Sequence, residues 1–70
     1  MNKALEVLRA FARTSGGFVV YFEDGQAKKV RGRPRSEDHP FLLELAEEGI
    51  RDLGTSVRIL HVGPTEVRVL

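Results

Sequence analysis

The sequence predicts an α+β fold, a two-layer sandwich in which a four-stranded, largely antiparallel sheet carries both helices on one face. Three observations predict it. Two segments space their apolar residues at the helical repeat. Four short segments are rich in β-branched and aromatic residues. The order is α-β-β-α-β-β, so each helix is followed by a hairpin.

The first helix starts at Asn2, whose side chain can cap it, and runs to about Arg13 with Ala4, Leu5, Leu8, Phe11 and Ala12 on one stripe. Gly16 and Gly17 stop it. A strand over 18–22 follows, then Asp24-Gly25. Both residues tolerate the positive φ of a type I′ hairpin turn, which returns the chain as a strand from Ala27 to about Arg31. Pro34 lacks an N–H and ends that strand. Asp38 caps the second helix, Pro40 lies in its first turn, Leu42, Leu45, Ala46, Gly49, Ile50 and Leu53 form its stripe, and Gly54 ends it. Strands over 57–62 and 66–70 flank Gly63-Pro64-Thr65.

Residues 1–70 make one small domain. A chain of this length buries only about 60% of its unfolded surface, so its core is marginal and calls for support. With no cysteine, disulfides and thiolate metal sites are excluded. His39 and His61 have no second ligand at metal spacing, so no metal and no cofactor is expected. Association is then the remaining support, and a homodimer is expected. Lys3, Glu6, Arg9 and Arg13 interrupt any apolar leader, and no stretch reaches membrane-spanning length. The expectation is a cytoplasmic protein without membrane contact. Eight arginines against three lysines, with one Asn and one Gln, suggest a thermophilic source.

Strand alternation assigns the faces. With the Asp24-Gly25 turn setting a regular register, Phe18, Val20 and Phe22 point to the helices, as do Val57, Ile59, His61, Val67 and Val69. Val19, Tyr21, Val30, Leu60, Val62 and Leu70 are then left on the open face, among Arg58, Glu66 and Arg68, and the six apolar residues form the expected dimer or partner interface.

Charge is unevenly placed. Residues 1–35 carry eight basic and three acidic groups, and residues 36–70 carry three basic and seven acidic ones. Lys28, Lys29, Arg31, Arg33 and Arg35 put five positive charges into eight residues, the pattern that neutralises phosphates and gives salt-sensitive nucleic-acid binding. Within it, Arg31-Gly32-Arg33-Pro34-Arg35 resembles the AT-hook. That resemblance implies a thin, extended backbone entering the minor groove of A·T-rich DNA, with Arg33 foremost. The other expectation for this loop is pairing of its arginines with Glu44, Glu47, Glu48 or Asp52 of the second helix.

No catalytic constellation is present. Ser15, Ser36 and Ser56 lie outside any Gly-x-Ser-x-Gly elbow, Gly16-Gly17 opens no phosphate loop, and neighbouring Glu47 and Glu48 point apart on a helix. His39 beside Asp38 reads as a solvated helix-start residue. The expected function is therefore a small interaction module working as a homodimer, not an enzyme, and the sequence identifies no small-molecule substrate. The alternative is a DNA- or RNA-binding protein using residues 28–35.

Overall fold

The computed structural model describes residues 2–54 and 56–70. Helix α1 (Lys3–Ser15) leads into strands β1 (Phe18–Glu23) and β2 (Gln26–Gly32), and a short 3₁₀ turn (Ser36–Asp38) leads into α2 (His39–Arg51). Strands β3 (Ile59–Val62) and β4 (Val67–Val69) complete the chain. The sheet order is β2-β1-β3-β4 and every neighbouring pair is antiparallel, so the two hairpins meet through their first strands. The α-β-β-α-β-β order and the four-stranded antiparallel sheet expected from the sequence are both present.

Local chemistry explains the boundaries. The Asn2 carboxamide oxygen accepts from Leu5 N at 3.1 Å while its Nδ2 donates to the Gly49 carbonyl at 2.7 Å, so one residue caps α1 and ties it to the end of α2. Gly16 takes φ +95° after α1. Asp24 and Gly25, at φ +52° and +79°, make the turn with both central residues left-handed, as the Asp-Gly pair requires. Asp38 differs from expectation. It sits before α2 in helical conformation, inside the 3₁₀ turn, and its side chain makes no capping bond. Helix α2 ends at Arg51 and unwinds through a turn to Gly54.

Both helices pack on one side of the sheet. Leu8 and Ala12 of α1 and Leu42, Ala46 and Ile50 of α2 meet Phe18, Val20, Phe22, Ala27, Val30, Val57, Leu60 and Val62 in one core. The helices approach closely at Gly49, where an added methyl group would lie 2.6 Å from Leu5 Cδ2. Arg9 and Arg13 donate to the carbonyls of Thr65 and Pro64, each at 3.2 Å, and so fasten α1 to the β3–β4 turn. No helix among the described residues is long and apolar enough to cross a membrane.

Two irregularities reverse the expected faces, and three assigned interface residues change sides. The β1–β2 register is regular from the turn to Phe22↔Ala27 and then slips, giving Tyr21↔Lys29 and Val20↔Val30. Lys28 is the extra residue of a β-bulge. Val30 therefore lies opposite Val20 in the core instead of outward beside Val19. In the second hairpin, the chain bends at Arg58, where the N–H groups of Arg58 and Ile59 both donate to the Leu70 carbonyl. The alternation restarts there. Val57 is buried, but three residues on so is Leu60, with Val62 after it. Leu60 and Val62 lie opposite Val20 and Phe18 beneath the helices. Ile59 and His61, expected inside, face out.

Candidate nucleic-acid interface

The side of the sheet away from the helices follows from the pairing, because residues directly opposite in an antiparallel ladder share a face. One row across it reads Arg31, Val19, His61, Arg68. The next reads Lys29, Tyr21, Ile59, and Leu70, which exchanges both backbone hydrogen bonds with Ile59 at 2.9 and 3.3 Å. Val19, Tyr21 and Ile59 are half-buried by their neighbours, whereas Lys29, Arg31, His61, Arg68 and Leu70 are exposed.

The bulge determines how much charge this face carries. Ala27 and Val30 both point into the core, and a regular strand would place them on opposite sides. The extra residue leaves two consecutive side chains outward, so Lys28 and Lys29 both stand beside Tyr21. Ala27 N donates to Glu47 Oε2 at 3.0 Å, which holds the bulged strand from the helix side and occupies one of the α2 carboxylates. With Arg31 and Arg68, four cations share the face. Glu23 and Glu66 stand at its two ends, beside the turns.

The basic segment divides between two environments. Lys28, Lys29 and Arg31 belong to β2 and the open face. Arg33 and Arg35 belong to a loop folded against the domain. Gly32 takes φ +138°, and a methyl group there would lie 2.8 Å from the Gly17 carbonyl oxygen and the Phe18 Cα, so the end of β2, from which the loop departs, presses onto the start of β1. The stem of Arg33 covers Gly16, whose added methyl would meet Arg33 Cγ at 2.9 Å. Pro34 is buried, and its carbonyl oxygen lies 3.1 Å from His39 Nε2. Arg35 Nη2 pairs with Glu37 Oε1 at 3.1 Å, with both side chains largely in water.

Pairing of the loop arginines with α2 is not what the structure shows. Among the described residues the one ion pair within 4.0 Å is Arg35–Glu37, and Glu37 precedes the helix. Glu44, Glu48 and Asp52 remain exposed. The molecule is thus polarised, with free carboxylates on the outside of α2 and unpaired cations on the open sheet face.

Sequence reasoning placed Val19, Tyr21 and Leu70 on this face, and all three lie there. It placed Arg68 there as well, and it missed Ile59 and His61 as members of one surface with the β2 lysines. A signal for them existed. A regular register would have buried His61 among aliphatic side chains, at the desolvation cost of an imidazole, while exposing Leu60 and Val62. A groove of about 540 Å³ opens elsewhere, between the first hairpin and the end of α2, lined by Phe22, Asp24, Glu47, Ile50, Arg51 and Arg58. Neither histidine borders it. Among the described residues no three His, Cys, Asp or Glu side chains are grouped to hold a metal ion.

No protein family matches this chain, and neither a curated protein nor a solved structure is similar to it.

Proposed function

We propose that this protein binds nucleic acid through the open face of its sheet, in the cytoplasm and without catalysis. The observation that carries this reading is the set of four cations, Lys28, Lys29, Arg31 and Arg68, gathered on a helix-free surface with no carboxylate within ion-pair distance among the described residues. Cations left unpaired beside apolar and aromatic side chains are suited to a polyanion whose bases offer flat apolar faces. The face is complementary to phosphate, whereas the domain's near-neutral total of +1 hides that complementarity in the sum.

The homodimer expected from the sequence draws less support. Three of its six residues, Val30, Leu60 and Val62, belong to the subunit's own core. Four strands about 4.8 Å apart and four residues of about 3.3 Å each give the face on the order of 250 Å² in projection. Even doubled for side-chain relief, that is less than the roughly 800 Å² per partner of a standard interface. Pairing the face with a copy of itself also brings basic clusters together, which opposes association.

Titration with a labelled oligonucleotide at about 50 and 200 mM salt tests the proposal. Four phosphate contacts to a single strand give a log–log salt slope near −3, since each contributes about −0.7. Salt-independent affinity, or none at the lower salt, would falsify it. Sedimentation of the free protein separates the two readings, because binding through the open face predicts a monomer before the ligand is added.

A further inference from the structure

We infer that the ligand is single-stranded nucleic acid, with consecutive bases stacked on Tyr21 and His61 and the phosphates along β2. The inference rests on the binding reading above and names its ligand.

Among the described residues, the Arg31–Arg35 peptide, α2 and the first hairpin tip are each unsuited to duplex recognition. The Arg31–Arg35 peptide cannot act as a free hook in a minor groove about 6 Å wide. Gly32 is pressed on Gly17 and Phe18, the Arg33 stem covers Gly16 and Pro34 is buried. Major-groove reading needs a projecting basic helix or ribbon. The outer side of α2 instead carries Glu44 and Glu48, and the first hairpin tip carries Glu23 and Asp24, all exposed and all repelled by phosphate.

The open face has what a single strand needs. Bases stack on aromatic rings whatever their sequence, while a basic border follows the backbone. Tyr21 stands on the central strand β1, between Lys29 and Ile59, with Lys28 beside them. His61 lies opposite Val19 on β3, one step diagonal from Tyr21, a separation of about 7–8 Å for such neighbours. Val19 and Ile59 are branched apolar side chains half-buried beside the two rings, and His61 is exposed. Lys28, Lys29 and Arg31 form one border, and Arg68 stands beyond His61 on the other. The bulge at Lys28 is thus a functional device. It aligns Val30 with the core and doubles the lysines beside the stacking ring.

Tyr21 is the sole tyrosine and the chain has no tryptophan, so its ultraviolet emission reports this ring alone. The test adds 12-nucleotide oligo(dT) or oligo(U), and DNA and RNA duplexes of 12 base pairs, to the intact protein at about 50 mM salt. The expected result is at least tenfold tighter binding of one of the single strands than of either duplex, with Tyr21 emission quenched on binding. Tyr21→Ala should weaken that binding roughly 5- to 100-fold, and Tyr21→Phe should keep it within about twofold. If Tyr21→Ala does not fold by circular dichroism, wild-type emission and Tyr21→Phe carry the test. Salt-dependent binding that favours duplex, or leaves Tyr21 emission unchanged, overturns the single-strand inference and keeps the binding proposal. Absence of binding to all four oligonucleotides removes both.

Discussion

The two sides of the sheet are made from the same strands and differ by one position at a time, yet they are governed by different physics. On the helix side, Val20, Val30 and Leu60 stand in one row across three strands, and all are at most 5% exposed. On the open side, one residue along, Val19, Arg31 and His61 stand in the corresponding row, and two of the three are in water. Volume and desolvation decide the first row, and charge decides the second. A substitution on the helix side should therefore act on stability, and one on the open side should act on binding.

The largest separation is expected between neighbours in β3. Leu60 is completely buried, so Leu60→Ala should cost about 2–5 kcal/mol by urea denaturation. That is a large fraction of the stability of a domain of this size. Ile59 is half-buried on the open face, and Ile59→Ala should cost less than about 1.5 kcal/mol. Equal losses at the two positions would mean that the open face is covered, and the comparison would fail. Within the covered side, Gly49→Ala probes how closely the helices approach. The new methyl meets Leu5 at 2.6 Å, and displacing Leu5 should cost about 1–3 kcal/mol with no change in the register of the sheet.

How far the sequence revealed this organisation depends on the kind of signal. Element order was legible from Asn2, from the glycines after α1, from Asp24-Gly25 and from the apolar stripes, because each acts through local backbone chemistry. The two faces were not, because each hairpin departs from regular alternation by one residue, at Lys28 and at Arg58. A single extra residue moves every later side chain of that strand to the other side. The pattern that betrays both is an apolar spacing of three, Ala27 to Val30 within β2 and Val57 to Leu60 across the entry into β3, where a regular strand offers two or four. The open cluster Lys28 to Arg35 was legible as a run of charge. Its division into a strand half on the face and a loop half folded against Gly16 and Gly17 depends on tertiary contacts that no local pattern encodes.

Deleting one lysine of the Lys28-Lys29 pair sharpens the comparison further. The shortened strand reads Gln-Ala-Lys-Val-Arg and pairs regularly with β1, so Phe22 still meets Ala27, and Val20 still meets the valine. Because the inward set is unchanged, the variant should fold, losing no more than about 1.5 kcal/mol with the strain or relief at the Ala27–Glu47 hydrogen bond included. The outward set loses one cation, and the salt slope should fall by about 0.7. If the deletion instead unfolds the protein, the bulge is structurally required, and its effect on the outer face is secondary.

The smallest stability effects, and the finest division, are expected within the arginines of the basic segment. Arg31 lies on the open face beside Val19, whereas Arg35 sits in the loop and pairs with Glu37 through side chains that are 80% and 65% exposed. An ion pair so fully hydrated contributes between zero and about 1 kcal/mol, so Arg35→Ala should be nearly silent in urea. Arg31→Ala should be nearly silent too, since an exposed strand side chain with no ion-pair partner among the described residues has little to lose. In oligonucleotide titrations the two should part. Arg31→Ala removes a phosphate contact and should reduce the salt slope by about 0.7, while Arg35→Ala should leave it unchanged. Loss of slope at Arg35 and not at Arg31 would move the binding site from the sheet to the loop. Two substitutions of equal charge, four residues apart, thus separate a strand that presents its cations on the sheet face from a loop whose backbone is packed against the domain.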